Sequence, residues 1–177
     1  MGVAVKNVEG MTLHAALNFG HKKKRLTSRS NSDLRTMWEG VDFLFIDKVS
    51  MISCEFLFKI SEALSQATRN TTSFGGINII FASDFAQLPP VKQSRLYSDI
   101  DTNIQSTTSQ TQSKVMGKIL WLSVDVIVEL TVVMRQTGPE NENFVNLLNR
   151  LRLGKCTDKD YNLLNTHVIV TGCYPIQ

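Results

Sequence analysis

Phe43-Leu-Phe-Ile-Asp47-Lys48-Val-Ser50-Met51, followed by Ile77-Asn-Ile-Ile-Phe81-Ala-Ser83-Asp84-Phe-Ala-Gln87-Leu-Pro89-Pro90-Val91, decides the fold class of this chain. Each stretch is an apolar run that ends in an aspartate. A buried parallel strand reads as a continuous apolar run, and α/β sheets collect ligand-binding groups at the carboxyl ends of their strands. Two aspartates at two such ends, with Ser50 and Gln87 close behind, suit a nucleoside triphosphatase that holds Mg²⁺ and senses a terminal phosphate. The second stretch is the more specific, because an Asp, a Gln and a Pro-Pro corner rarely coincide at this spacing.

Outward from these strands the pattern alternates. Thr12 to Asn18 reads as a helical turn with Thr12 as its N-cap. Asp33 caps a short helix through Trp38, closed by Glu39-Gly40. Strands are expected over Val41–Ile46 and Ile77–Phe81. Between them, Phe56, Ile60 and Ala63/Leu64 recur at helical spacing and predict a helix over 53–68. Residues from about 92 to 113 are rich in Ser, Thr, Gln and Asp, and predict a mobile excursion. A short helix over 114–120, a strand over 124–130 and two helices, about 140–153 and 157–165, complete the chain. Alternating strands and helices indicate a parallel sheet flanked by helices.

Composition adds bounds. The chain has 177 residues, 42% hydrophobic and 20% charged, enough for one compact domain with its own core. A net charge of +3 permits nucleic-acid binding without requiring it. Cys54, Cys156 and Cys173 form no Cys-x-x-Cys pair, which argues against a zinc site or a disulfide framework and favours a reducing compartment. No run reaches the length of a membrane span. Met1-Gly-Val-Ala-Val-Lys6 does not read as a signal peptide.

At its motifs the sequence resembles the PIF-type family of DNA helicases, RecD-like motors of superfamily one. The second motif of that family reads Asp-Glu-x-Ser-Met, and here Asp47-Lys48-Val49-Ser50-Met51. The third reads Gly-Asp-x-x-Gln-Leu-Pro-Pro-Val, and here it begins Ser83-Asp84. Gly10-Met-Thr12-Leu-His14-Ala-Ala-Leu17 is similar to a Thr-x-His-x-x-Leu segment that touches DNA. Val128-Glu-Leu130-Thr-Val-Val-Met-Arg135-Gln136 is similar to the fourth motif, and Phe144 to Gly154 with Thr157 to Asn165 to the helices after it. The resemblance runs from about Val3 to His167. It implies a RecA-like α/β domain of the P-loop type over 1–167, with 168–177 leading towards a second motor domain.

The resemblance also implies roles. Asp47 would hold Mg²⁺, with Ser50 beside it. Gln87 would sense the γ phosphate of ATP, Asp84 would support the phosphate-side loop, and Arg135 would approach the γ phosphate. Thr12 and His14 would lie near single-stranded or forked DNA, with Pro89 and Pro90 shaping the loop between the nucleotide and DNA sides. Each has a plainer alternative: Asp47 and Gln87 in ordinary turns, Arg135 in a surface ion pair, His14 packed among apolar neighbours. Phe19, Trp38 and Phe74 read as core or edge residues. The run His21-Lys22-Lys23-Lys24-Arg25, with Arg29 beyond, is open to three readings: a solvated loop, a phosphate contact or a nuclear address.

Two departures bear on activity. The family has a Glu after the magnesium aspartate, and here Lys48 stands in its place. A positioned base typically contributes on the order of 10²–10⁴ in rate, and a protonated lysine cannot accept that proton. Lys48 either clamps a γ phosphate without cleaving it or marks a decayed site. No Gly-x-x-x-x-Gly-Lys-[Ser/Thr] phosphate cradle occurs in the 177 residues. The expectation is part of a first motor domain, with the cradle segment and the second motor domain belonging to a longer parent. Three functions follow: part of an ATP-dependent 5′-to-3′ DNA helicase, a DNA-binding module without turnover, or a non-functional fragment. Nuclear location is expected, with the mitochondrion as alternative.

Overall fold

The computed structural model describes residues 9–19, 34–99, 108–136 and 138–166. It divides into two compact units, Met1–Val126 and Ile127–Gln177. In the first, α1 (Leu13–Ala16) starts at Thr12, whose hydroxyl accepts from the Ala15 N–H at 3.2 Å. α2 (34–38) carries the buried Trp38, whose indole N–H donates to the Ala16 carbonyl at 3.2 Å. Asp33, the expected cap of α2, lies outside the described residues.

β1 (Phe43–Asp47) and β2 (Asn78–Ala82) pair in parallel, with Asp47 opposite Ala82. Parallel neighbours need a crossover, and α3 (Cys54–Thr68) supplies it. The Ser53 hydroxyl caps α3 by accepting from the Phe56 N–H at 3.1 Å, and Arg69 ends it in the left-handed conformation. Leu57, Ile60 and Leu64 are completely buried and join Ile46 and Ile77 in the core. The buried stripe centres on Leu57, so Phe56, expected on it, is only half-buried. The turn back to β2 needs glycine: Gly75 has φ 65°, and a Cβ there would overlap the Thr68 hydroxyl.

α4 (Ser109–Leu122) is capped by Thr108 and starts five residues before the expected 114. Its polar first turns, Ser109 to Ser113, carry no apolar stripe and hide from a periodicity search. The other end of the expected excursion is also ordered. The Cys54 N–H donates to the Ser94 carbonyl at 3.1 Å, and Leu96 is buried. Residues 100–107 lie outside the described residues.

Two expectations fail. Residues 124–130 form no strand, and among the described residues the sheet has two strands. Val126, Ile127, Val128 and Leu130 are exposed instead. A β-branched run becomes a strand only where a neighbour offers backbone partners. β1 is also covered on one face only. Ile46 is buried while Phe43 and Phe45 are 64% and 62% exposed, which departs from a strand buried on both sides.

The second unit contains a helical hairpin, α5 (Glu142–Arg152) and α6 (Asp158–Asn165). A short 3₁₀ turn, Pro139–Asn141, precedes α5. Thr157 and Asp160 cap α6 reciprocally, and Asp160 also accepts two bonds from Arg150, Nε at 2.8 Å and Nη2 at 2.5 Å. The Arg150 guanidinium first, then the Thr157 N–H, hold the Asp160 carboxyl well below the usual carboxylate range. A depressed acid stabilises the fold above its unfolded value, about pH 4, and that contribution is lost as pH falls towards the folded value. Asp160→Asn is therefore expected to lower amide protection across 142–165 at pH 7 and to flatten the loss of protection on acidification. Exchange matching the wild type at pH 7 and pH 3 would remove this pair from the hairpin's stability.

Candidate nucleotide and DNA site

The two motif aspartates leave adjacent parallel strands at the same end of the sheet. Asp47 is the last residue of β1, and Asp84 follows two residues after Ala82, its register partner. The Asp47 Oδ1 accepts from the Lys48 N–H at 2.8 Å. Lys48 sits at φ 62°, ψ 43°, a left-handed conformation that costs a non-glycine residue about 1–2 kcal/mol. That bend starts the 3₁₀ turn Val49–Met51, which turns Ser50 inwards.

Ser50 joins the two motifs. Its N–H donates to the Ser83 hydroxyl at 2.8 Å. Ser83 stands where the resembled family has glycine, so the departure supplies a tie between strand ends that glycine cannot make. The Ser50 hydroxyl itself is buried and has no hydrogen-bond partner. An unsatisfied buried hydroxyl costs about 1–3 kcal/mol, and this one lies three residues after the exposed Asp47 carboxylate. Among the described residues, no group of three or more His, Cys, Asp or Glu is placed to hold a metal. Mg²⁺ needs no such group, because it keeps its waters and binds through one or two carboxylates plus phosphate oxygens. Asp47 with the Ser50 hydroxyl fits that donor set.

Beyond β2, the Asp84 carboxylate accepts from the Ala86 N–H at 2.9 Å, and the Gln87 N–H donates to the Asp84 carbonyl at 3.0 Å. This tight turn leaves the Gln87 side chain exposed, with Pro89 half-buried and Pro90 buried behind it. Arg135 lies exposed in a bend of the second unit.

On the DNA-facing residues the structure is mixed. The Thr12 hydroxyl is engaged as the α1 cap. His14 stays exposed, stacked on Phe56 with ring centroids 5.1 Å apart and edge-on to Phe19 at 6.1 Å. A groove beside it is lined by His14, Met51, Glu55, Phe56, Lys59 and Gln93. Lys59 and Gln93 escaped the sequence reading because neither belongs to a motif. Lys22, Lys23, Lys24 and Arg25 lie outside the described residues. Trp38 and Phe74 are core residues and Phe19 packs at the core's edge, as expected.

Comparison with known proteins agrees with this geometry. The family model "PIF1-like helicase" matches residues 1–162. The ATP-dependent DNA helicase PIF1 of Xenopus laevis is 37% identical over 162 residues, 89% of this chain and 23% of that protein. Its counterpart in Mus musculus is 34% identical over 163 residues, 89% of this chain and 22% of that protein. The chain thus spans less than a quarter of the length of these curated relatives. Among solved structures, Pif1 helicase from Candida albicans superposes with a TM-score of 0.63 at 26% identity, covering 90% of this chain and 34% of that one. A Bacteroides Pif1 helicase in complex with ADP-AlF3 and ssDNA gives a TM-score of 0.59 at 25% identity, covering 97% and 40%. The fold is accordingly RecA-like, and with both aspartate motifs at neighbouring strand ends the chain belongs to the PIF1-like helicase family.

Proposed function

We propose that this chain forms the Mg²⁺- and γ-phosphate-facing part of an ATP-dependent DNA helicase motor, which in the full-length protein couples ATP hydrolysis to 5′-to-3′ unwinding. The observation that carries this reading is the Ser50–Ser83 bond, which holds the ends of two parallel strands together beside Asp47 and Asp84. Asp47 would hold Mg²⁺ with the Ser50 hydroxyl, and the ion would supply neutralisation of phosphate charge. Gln87, on its exposed turn, meets the γ phosphate, and Asp84 shapes that turn. Arg135 neutralises charge that develops in transfer. Single-stranded or forked DNA runs by Thr12, His14 and the Pro89-Pro90 corner, and Pif1 structures with ssDNA and with forked dsDNA among the solved relatives support this partner. The basic run Lys22-Lys23-Lys24-Arg25 adds phosphate contacts and favours a nuclear location over a mitochondrial one.

Lys48 favours a second reading, a DNA-binding module without turnover. Its affinity for DNA would fall steeply with salt, because phosphate contacts release counterions. Titration of the chain with a fluorescent ATP analogue and Mg²⁺ decides between them. Saturable micromolar binding, with DNA-stimulated phosphate release by the full-length protein, supports the motor reading; binding without release, or none at about 1 mM, overturns it in favour of the second.

Whichever holds, Lys48→Glu alone is expected to give no ATPase in the 177-residue chain. One base contributes on the order of 10²–10⁴, and the sequence holds no Gly-x-x-x-x-Gly-Lys-[Ser/Thr] to cradle the phosphates. DNA-stimulated phosphate release by that variant would refute this.

A further inference from the structure

Helix α4 grips the loop that carries Gln87 from two sides, through residues that belong to none of the motifs. Phe85, next to Asp84, meets Trp121 of α4 edge-on at 5.7 Å and Tyr97 at 5.4 Å between ring centroids. Trp121 also meets Phe81, within β2, at 5.5 Å. Three residues earlier on the same helix face, Lys118 reaches the far end of the loop. Its ammonium donates to the Leu96 carbonyl at 2.6 Å and to the Ser98 carbonyl at 2.8 Å.

That far end is also tied to the start of α3. The Cys54 N–H donates to the Ser94 carbonyl, and the Cys54 thiol donates to the Arg95 carbonyl at 3.3 Å. Leu96 is buried between these anchors, and Pro90 is buried where the loop turns. In between, Ala86, Gln87 and Leu88 are exposed before Pro90, and Val91, Lys92 and Gln93 after it. The loop is therefore tied at Phe85 and at 94–98, with Gln87 exposed on the stretch between the ties.

We propose that Lys118 is a positioning residue for Gln87: by holding the Leu96 and Ser98 carbonyls while Trp121 holds Phe85, it sets where the turn presents the Gln87 amide. This rests on the reading of Gln87 as the γ-phosphate sensor. An ammonium suits the task because it has three donors on a compact centre and can serve two converging carbonyls at once. Charge-assisted bonds of this kind are the strong ones. A side chain with no donor leaves both carbonyls, part-buried at these bonds, without this partner.

The test uses the 177-residue chain with Lys118→Met, which keeps the apolar stem and removes every donor. Two quantities are measured: amide exchange across 84–98, and the preference for a non-hydrolysable Mg·ATP analogue over Mg·ADP. The expected result is exchange faster by on the order of tenfold across 84–98, with α3 unchanged, and a lost preference for the triphosphate at unchanged ADP affinity. Lys118→Gln, which keeps an amide donor, should fall between, and it guards against a Met variant that folds poorly. Unchanged exchange overturns the anchoring. Faster exchange with the preference intact shows a merely structural tie and overturns the positioning role. If the wild type itself shows no preference for the triphosphate, the γ-phosphate reading is what fails, and the proposal falls with it.

Discussion

Asp47→Asn is expected to abolish Mg²⁺-dependent binding of an ATP analogue while leaving the fold intact. The side chain is exposed at the end of β1 and accepts from the Lys48 N–H at 2.8 Å. An asparagine keeps an oxygen to accept that bond, so the left-handed bend at Lys48 and the Ser50 tie survive. What it loses is the negative charge, and a hard divalent cation binds chiefly to charged oxygen. Asp47→Ala removes both charge and acceptor, and should add a loosened Val49–Met51 turn to the same binding loss. The contrast separates chemistry from folding. Asp47→Asn should melt close to the wild type, within about 0.5 kcal/mol, because it keeps the acceptor that Asp47→Ala removes. Binding by Asp47→Asn equal to wild type would show that the carboxylate does not hold the metal.

Gly117→Ala should destabilise the chain although alanine is the better helix former. In a helix interior that exchange is worth about 1 kcal/mol in favour of alanine. Against it stands the backbone of α3, because a Cβ at position 117 would overlap the Cys54 carbonyl. The carbonyl has little room to retreat. Its own residue is bonded to Ser94 and Arg95, and Leu57 bonds back to the Ser53 carbonyl at 2.9 Å. Forcing packed helices apart costs about 1–3 kcal/mol and occasionally more, and backbone yields less readily than a side chain. With the upper value, the net loss is about 2 kcal/mol, or roughly 4–8 °C in melting temperature for a chain of this size. Met116→Ala, one position away and exposed, is the control that should melt like the wild type. A Gly117→Ala chain that melts at or above the wild type would mean that α3 and α4 are not in close contact there. The same variant carries a functional consequence, since α4 also bears Lys118 and Trp121.

Much of this was legible in the sequence, and the legible part is local. Thr12, Ser53 and Thr157 announce their helices because a capping hydroxyl and the N–H it meets are three residues apart or fewer. The apolar runs ending in Asp47 and before Asp84 mark strand ends for the same reason: period and punctuation lie within one element. The likeness of its motifs pointed to the family, and the family match over residues 1–162 agrees. What the tertiary structure decided is non-local. Residues 124–130 have the composition of a strand but, among the described residues, no ladder partner, and composition cannot count neighbours. The polar start of α4 is helical although no apolar stripe marks it. Ser83 reads as a lapse from the family pattern until the Ser50 N–H is found on its hydroxyl. Lys118 and Trp121 belong to no motif, and only packing brings them onto the loop of Gln87. Sequence nominated the side chains proposed for the chemistry, because residue type and short-range spacing are written in it. Tertiary structure decided what holds them in place, because hydrogen bonds and ring contacts between distant residues depend on close approach that no local pattern encodes.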